Sequence, residues 1–199
     1  MLFSIFDDME RCTPDEVQRL LTIASQQRRE KALRFSHLFG QYACLKSYEM
    51  LVDLLDRWGV DTSRPIEFEY NEHGKPSLKE VPNVYFNISH CKNAIAVAID
   101  MHPIGIDVEQ LRLPSPPLLN RTMNDIETTA VKQSNSPEIA FTRIWTQKEA
   151  VFKMQGTGIR DNIKNVLDGI ERTTELHTID CFEKNYVCTI AIHKTEIIY

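Results

Sequence analysis

The chain has 199 residues, 42% of them hydrophobic and 26% charged, with a formal net charge of −5. That is the composition of an ordinary soluble globular protein able to build a core without staples, and its negative balance argues against bulk binding to nucleic acid. No apolar run approaches the roughly 18–20 residues that span a bilayer, the N-terminus lacks the basic start of a signal peptide, and the five scattered cysteines, without a Cys-x-x-Cys pair, point to a reducing cytosol rather than to disulfides or zinc.

The opening Met1-Leu2-Phe3-Ser4-Ile5-Phe6-Asp7-Asp8, with its apolar patch, reads as a first strand. Thr13-Pro14-Asp15-Glu16 then supplies an N-cap, a proline at the first helical position and acids in the first turn, which predicts a helix running to about Phe35. A second helix is expected from about Phe39 to Trp58, where Tyr42, Leu45, Met50-Leu51 and Leu54-Leu55 recur at helical spacing and Gly59 is the stop signal. Ile66 to Tyr70 alternates with period two and predicts a strand, followed by the turn-rich connector Asn71 to Pro76. Residues 84–88, 94–99 and 104–109 predict three more strands, so the middle of the chain is a sheet. Leu113-Pro114-Ser115-Pro116-Pro117 resembles a linker; a helix near 117–132, a stronger one near 137–155 and closing strands that include 176–179 and 186–192 follow. Helices followed by sheet thus occur twice. The expected fold is α+β, built as two tandem modules, with an N-terminal half of 1–103 and a C-terminal half of 104–199.

Three segments carry candidate chemistry. In Ile104-Gly105-Ile106-Asp107-Val108-Glu109 a strand puts the aliphatic residues on one face and Asp107 and Glu109 on the other. Two carboxylates so placed can share a hard cation such as Mg²⁺, although the commoner use of such a hexapeptide is a half-exposed strand with its charges in water. Trp145, Glu149 and Lys153 share one helical face at i, i+4 and i+8, with Lys148 on its flank. Glu149 can reach a metal held by the acidic strand and Lys153 a phosphate beside it, while the plain alternative is a surface ion pair anchored by Trp145 and Phe152. Phe86-Asn87-Ile88-Ser89-His90 offers hydrogen-bond donors at a strand end, and a protonated His90 suits a phosphate; equally, Asn-x-Ser can satisfy turn amides. A serine hydrolase is set aside, because neighbours on a strand point to opposite faces and no Gly-x-Ser-x-Gly elbow surrounds Ser89.

Taken together and in order, Gly74-Lys75-Pro76, Phe86-Asn87-Ile88-Ser89-His90, Ile104 to Glu109 and Trp145-x-x-Lys148-Glu149-Ala150-x-x-Lys153 resemble the phosphopantetheinyl transferases of the larger, surfactin-synthetase-activating type. Members of that family are monomeric pseudo-dimers of two α+β modules, with the active site in the cleft between them. The resemblance implies transfer of phosphopantetheine from coenzyme A to a serine of an acyl or peptidyl carrier protein, as in holo-[acyl-carrier-protein] synthases, with release of 3′,5′-ADP in the cytoplasm. It implies Asp107, Glu109 and Glu149 as Mg²⁺ ligands, Lys153 and His90 at the phosphates with Glu149 as general base, and Lys75, Pro76, Ser89, His90 and Lys148 around coenzyme A. No membrane or nucleic-acid partner is expected.

The second helix has no arginine in Leu38 to Lys46, where the family usually carries a basic residue for the nucleotide end; Gln41 or Lys46 can substitute, and the upstream basic cluster containing Arg28 and Lys31 can reach the 3′-phosphate. The proline-rich 113–117 region and the helix 117–132 fall where the family binds its carrier, and Arg112, Leu118, Leu119, Arg121 and Met123 can form the docking surface. The alternatives are a non-catalytic coenzyme A or nucleotide-binding module of the same fold and an Mg²⁺-dependent phosphoesterase.

Overall fold

The computed structural model describes residues 1–158 and 163–194. Strand β1 (Leu2–Phe6) leads into α1 (Pro14–Ile23), α2 (Gln26–Leu33) and the long α3 (Leu38–Trp58). The single helix expected up to Phe35 is therefore two. Ala24 turns extended, with φ −73° and ψ 149°, and Ser25 restarts the helix by accepting the Arg28 N–H at 3.3 Å. A serine oxygen at that position satisfies one of the N–H groups that a helix start leaves without a partner. α3 stops where Gly59 takes φ 93°, a left-handed conformation that a side chain would strain.

β2 (Phe68–Tyr70) and β3 (Pro76–Leu78) form a small hairpin. Gln27 of α2 holds its edge, accepting from the Phe68 N–H at 3.0 Å and donating to the Phe68 carbonyl at 2.9 Å. β4 (Tyr85–His90) and β5 (Ile95–Asp100) complete an antiparallel sheet of order β1-β5-β4, with Leu2 opposite Ile99 and Phe86 opposite Ile99 on the other side. β5 is buried on both faces. Ile95, Val97 and Ile99 join the core under α3, with Leu45, Leu51 and Leu55. The opposite face, Ala94, Ala96 and Ala98, packs on Ile104, Ile106 and Val108 of β6 (Ile104–Gln110). Alanines there let the second sheet approach closely.

Beyond β6 come α4 (Pro116–Thr122), α5 (Asp125–Gln133), α6 (Pro137–Gln155), β7 (Thr174–Cys181) and β8 (Tyr186–His193), the strands forming a sheet of order β6-β8-β7. In both sheets the first strand precedes the helices and the last strand lies in the middle, so the two share one topology. The proline-rich stretch expected as a linker instead opens α4, with Ser115 as its cap and prolines in its first turn, where a missing N–H costs nothing. The helix expected near 117–132 is divided at Met123. Asn124 and Glu127 there make a reciprocal capping box that starts α5.

β4 and β6 lie side by side without a shared backbone ladder. Side chains stitch them: Asn87 Oδ1 accepts the Ile106 N–H at 3.1 Å and Ser89 Oγ accepts the Val108 N–H at 3.2 Å. α6 lies across β6 at Gly105, where any Cβ would collide with the backbone of Ala150 and Met154. These two devices bring β4, β6 and α6, and hence three of the sequence motifs, to one place. The cysteines are free thiols, and among the described residues no helix is long and apolar enough to cross a membrane.

Candidate active site

The alternation expected of β6 is seen in the structure, with Ile104, Ile106 and Val108 in the core and Asp107 turned to α6. Trp145, Glu149 and Lys153 present one face of α6 to that strand. Lys153 Nζ lies 2.5 Å from Asp107 Oδ1 and 2.8 Å from Ser89 Oγ, and Ser89 Oγ in turn donates to Asp107 Oδ1 at 3.0 Å. Trp145 Nε1 donates to Glu109 Oε1 at 3.3 Å. Ser89 is thus a buried hub that positions Asp107 and Lys153, with its hydroxyl fully used.

Charge is concentrated here. Burial pushes the Glu149 carboxyl up to about 7, and the neighbouring Asp107 charge adds to the shift against the opposing pull of Lys153. Glu109 is raised for the same reasons, burial first and Asp107 second. Asp107 Oδ2 is buried and has no hydrogen-bond partner among the described residues. Carboxylates that raise one another and leave an orphaned oxygen are a donor set suited to a hard cation. As the side chains stand, no three of the described His, Cys, Asp and Glu groups converge on a common ion position, and Lys153 takes the near oxygen of Asp107.

Beside this cluster opens a cavity of about 260 Å³ whose wall includes Gly74, Lys75, Pro76, Asn87, Glu149 and Lys153. Asn71 shapes the loop that delivers Lys75: its Oδ1 accepts the His73 and Lys75 N–H groups at 3.0 and 2.8 Å, and its Nδ2 reaches the Gly156 carbonyl at 3.4 Å. Lys75 Nζ donates to the Met154 carbonyl at 2.8 Å, and burial pushes its amine down to about 8. His90 keeps an accessible edge and meets Phe39 edge-on at 5.8 Å. Burial, helped by the Lys153 charge, lowers its pKa, so the protonated form expected from the sequence is disfavoured until an anion arrives.

Two expected coenzyme A contacts are corrected. Lys148 is completely buried, with Nζ donating to Glu127 Oε2 at 2.7 Å and to the carbonyls of Lys164, Ile163 and Thr122 at 2.8, 2.9 and 3.0 Å. It ties α4, α5 and the 163–164 segment to α6, and no donor is left for a ligand. Arg28 is likewise buried, bonded to the Cys44 carbonyl and Ser47 Oγ at 2.9 Å each, and packed over Phe68. Lys31 stays exposed, with its ammonium over the Tyr70 ring. Conversely, Asn71 and Asn87 contribute to the site without standing among the candidate site residues. The turn Asn71-x-x-Gly74 ahead of Lys75 is the signal for the first, and the pinned carbonyl of Asn87 leaves its amide N–H groups for the cavity.

Residues 103–191 match the model of the 4′-phosphopantetheinyl transferase superfamily. Among curated proteins, the chain is 29% identical over 147 residues to the 4′-phosphopantetheinyl transferase ffp of Bacillus subtilis, covering 73% of this chain and 66% of that one. The same figures hold for the 4′-phosphopantetheinyl transferase Sfp of Bacillus subtilis strain 168. Similarity to the 4′-phosphopantetheinyl transferase AcpT of Salmonella typhi is 34% over 95 residues, 45% of this chain and 50% of that one. The chain therefore spans just under two thirds of the length of the first two relatives. The matched stretch contains β6 and α6, so the motif-bearing half of the chain is similar to the 4′-phosphopantetheinyl transferase superfamily. Over a longer stretch that also takes in part of the N-terminal half, the chain is similar to the two Bacillus transferases, ffp and Sfp.

Proposed function

We propose that this protein transfers the phosphopantetheine group of coenzyme A to a serine hydroxyl of an acyl or peptidyl carrier protein, releasing 3′,5′-ADP. The observation that carries the reading is the convergence of four separate sequence blocks: Lys75, Glu149 and Lys153 share one cavity wall, and Asp107 and Ser89 stand behind Lys153. The shared strand order of the two sheets supports a pseudo-dimer with its active site between the halves.

In this reading Asp107, Glu109 and Glu149 hold Mg²⁺, whose chemistry is to neutralise charge on the pyrophosphate. Lys153 exchanges its contact with Asp107 for a phosphate oxygen and places positive charge where the transition state spreads negative charge. Lys75, Pro76 and the Asn87 amide line the nucleotide side of the cavity, and His90 gains a proton as an anion approaches it. Glu149, the most strongly raised carboxyl of the cluster, takes the serine proton directly or through water.

The test is the mass of an apo-carrier protein incubated with coenzyme A, Mg²⁺ and the enzyme. A gain of about 340 Da is expected, the mass of the transferred group, with none for Glu149→Gln. Release of phosphopantetheine or phosphate without a gain in carrier mass would instead favour a phosphoesterase, and unchanged coenzyme A would leave only a binding module.

A further inference from the structure

We infer that a second cavity, between β3, residues 81–86, Pro103 and the end of α6, is a binding site for a small organic acid with an aromatic or branched apolar body. Its volume is about 380 Å³, within the roughly 300–1,000 Å³ of small-molecule sites. Leu78, Val84, Phe86, Pro103 and Met154 give it apolar walls, and among the described residues no Asp or Glu lines it. Among those described lining residues the one formal charge is Lys75.

Lys75 is a half-buried ammonium that makes no ion pair among the described residues. Among the described residues its Nζ is bonded to the neutral Met154 carbonyl. Burial drives its pKa down, and no acid among the described residues pulls it back. A cation so placed gains from a carboxylate that arrives with its own apolar cover, because the pair then replaces a desolvated single charge. The side chain runs past the end of α6, where Gly156 makes room: a Cβ there would lie 2.8 Å from Lys75 Cδ. The same lysine lines the first cavity. A carboxylate in the second cavity and an anion in the first therefore draw on one ammonium, and each weakens the other.

The experiment uses the full-length protein and 4-phenylbutyrate, with neutral 4-phenylbutanamide as the control, followed by NMR titration. The acid should bind at least about tenfold more tightly than the amide, a factor matching one charge-assisted contact. Saturating pyrophosphate, a probe of the first cavity, should weaken it severalfold. Gln155→Trp at the exposed rim and Val84→Phe on the wall should abolish acid binding while 3′,5′-ADP still binds. Equal affinity for acid and amide, no saturable shifts with the acid, or retained acid binding in both folded variants overturns the inference. It stands apart from the transferase reading, since a carrier that gains no mass leaves these titrations unaffected.

Discussion

Replacing Lys148 with methionine separates a structural lysine from a ligand-binding one, because the stem is kept and only the ammonium is lost. Its Nζ serves Glu127 and three backbone carbonyls from a position with no solvent exposure. Removing one partner of a buried ion pair costs about 3–5 kcal/mol, since the remaining charge is left desolvated and unpaired. For a chain of this size each kcal/mol lowers Tm by about 2–4 °C, so Lys148→Met should melt roughly 6–20 °C lower. Adding Glu127→Gln should recover part of the loss, because the amide is neutral and still accepts the Asn124 N–H that now bonds Glu127 at 2.8 Å. Calorimetry or thermal circular dichroism reads the shift, and steady-state kinetics on the folded variant should show a nearly unchanged KM for coenzyme A. A variant melting within about 2 °C of the parent, a shift worth about 1 kcal/mol or less, with KM for coenzyme A raised tenfold or more, would refute the assignment and return Lys148 to the ligand.

Gly105→Ala should destabilise the protein by about 1–3 kcal/mol, because the added methyl drives β6 off the backbone of α6; an unchanged urea midpoint would show that the two elements do not pack this closely. Asn124→Ala should cost about 1 kcal/mol by removing the capping box of α5, measured by the same denaturation. The Lys75 amine titrates near 8 in the free protein, so its charge is present below that value and lost above it. KM for coenzyme A should therefore rise as pH passes upward through about 8, and Lys75→Met should flatten that part of the profile. An identical pH profile in the variant would remove Lys75 from coenzyme A binding.

The parts of this molecule legible in its sequence are those set by local rules. Period-two alternation identified β6 and the faces of Asp107 and Ile106, and helical spacing with Gly59 gave α3 within a residue. Trp145, Glu149 and Lys153 were readable as one face because the 3.6-residue repeat places them there. What stayed hidden depends on tertiary partners. Lys148 sits in the same motif as Glu149, and only the packing of α4, α5 and the 163–164 segment shows that its side of α6 is closed. Arg28 read as a basic group able to reach the 3′-phosphate, and only its bonds to Cys44 and Ser47 of α3 show that it is buried. The breaks at Ala24 and Met123 were local after all: Ser25 and the Asn124-x-x-Glu127 box are cap signals, outweighed by the continuing helical spacing around them. The second cavity has no sequence signature, since its walls come from a hairpin, a connector and a helix end.

The stability of the metal-free protein tests the electrostatics of the site apart from catalysis. Burial and the Asp107 charge hold the Glu149 carboxyl near 7, above its ordinary value of 4.5. Between those values the folded protein binds a proton that the unfolded chain has already released. The contribution of Glu149 to stability is therefore fully present below the unfolded pKa and is lost as pH rises through about 7. In EDTA the urea midpoint should fall across that window, and Glu149→Gln, which has nothing to titrate, should reduce the fall. Lys153→Met should act the other way. Without the ammonium 2.5 Å from Asp107, the cluster loses a positive charge that counters its repulsion. Because Lys153 is partly exposed, the cost at neutral pH is discounted to about 1–3 kcal/mol. Added Mg²⁺ should then restore the midpoint of Lys153→Met more than that of the parent, as expected for an ion that binds only the folded state. Superimposable pH profiles for Glu149→Gln and the parent in EDTA would mean that Glu149 is not held protonated by its neighbours, and the coupling of these carboxylates would have to be abandoned.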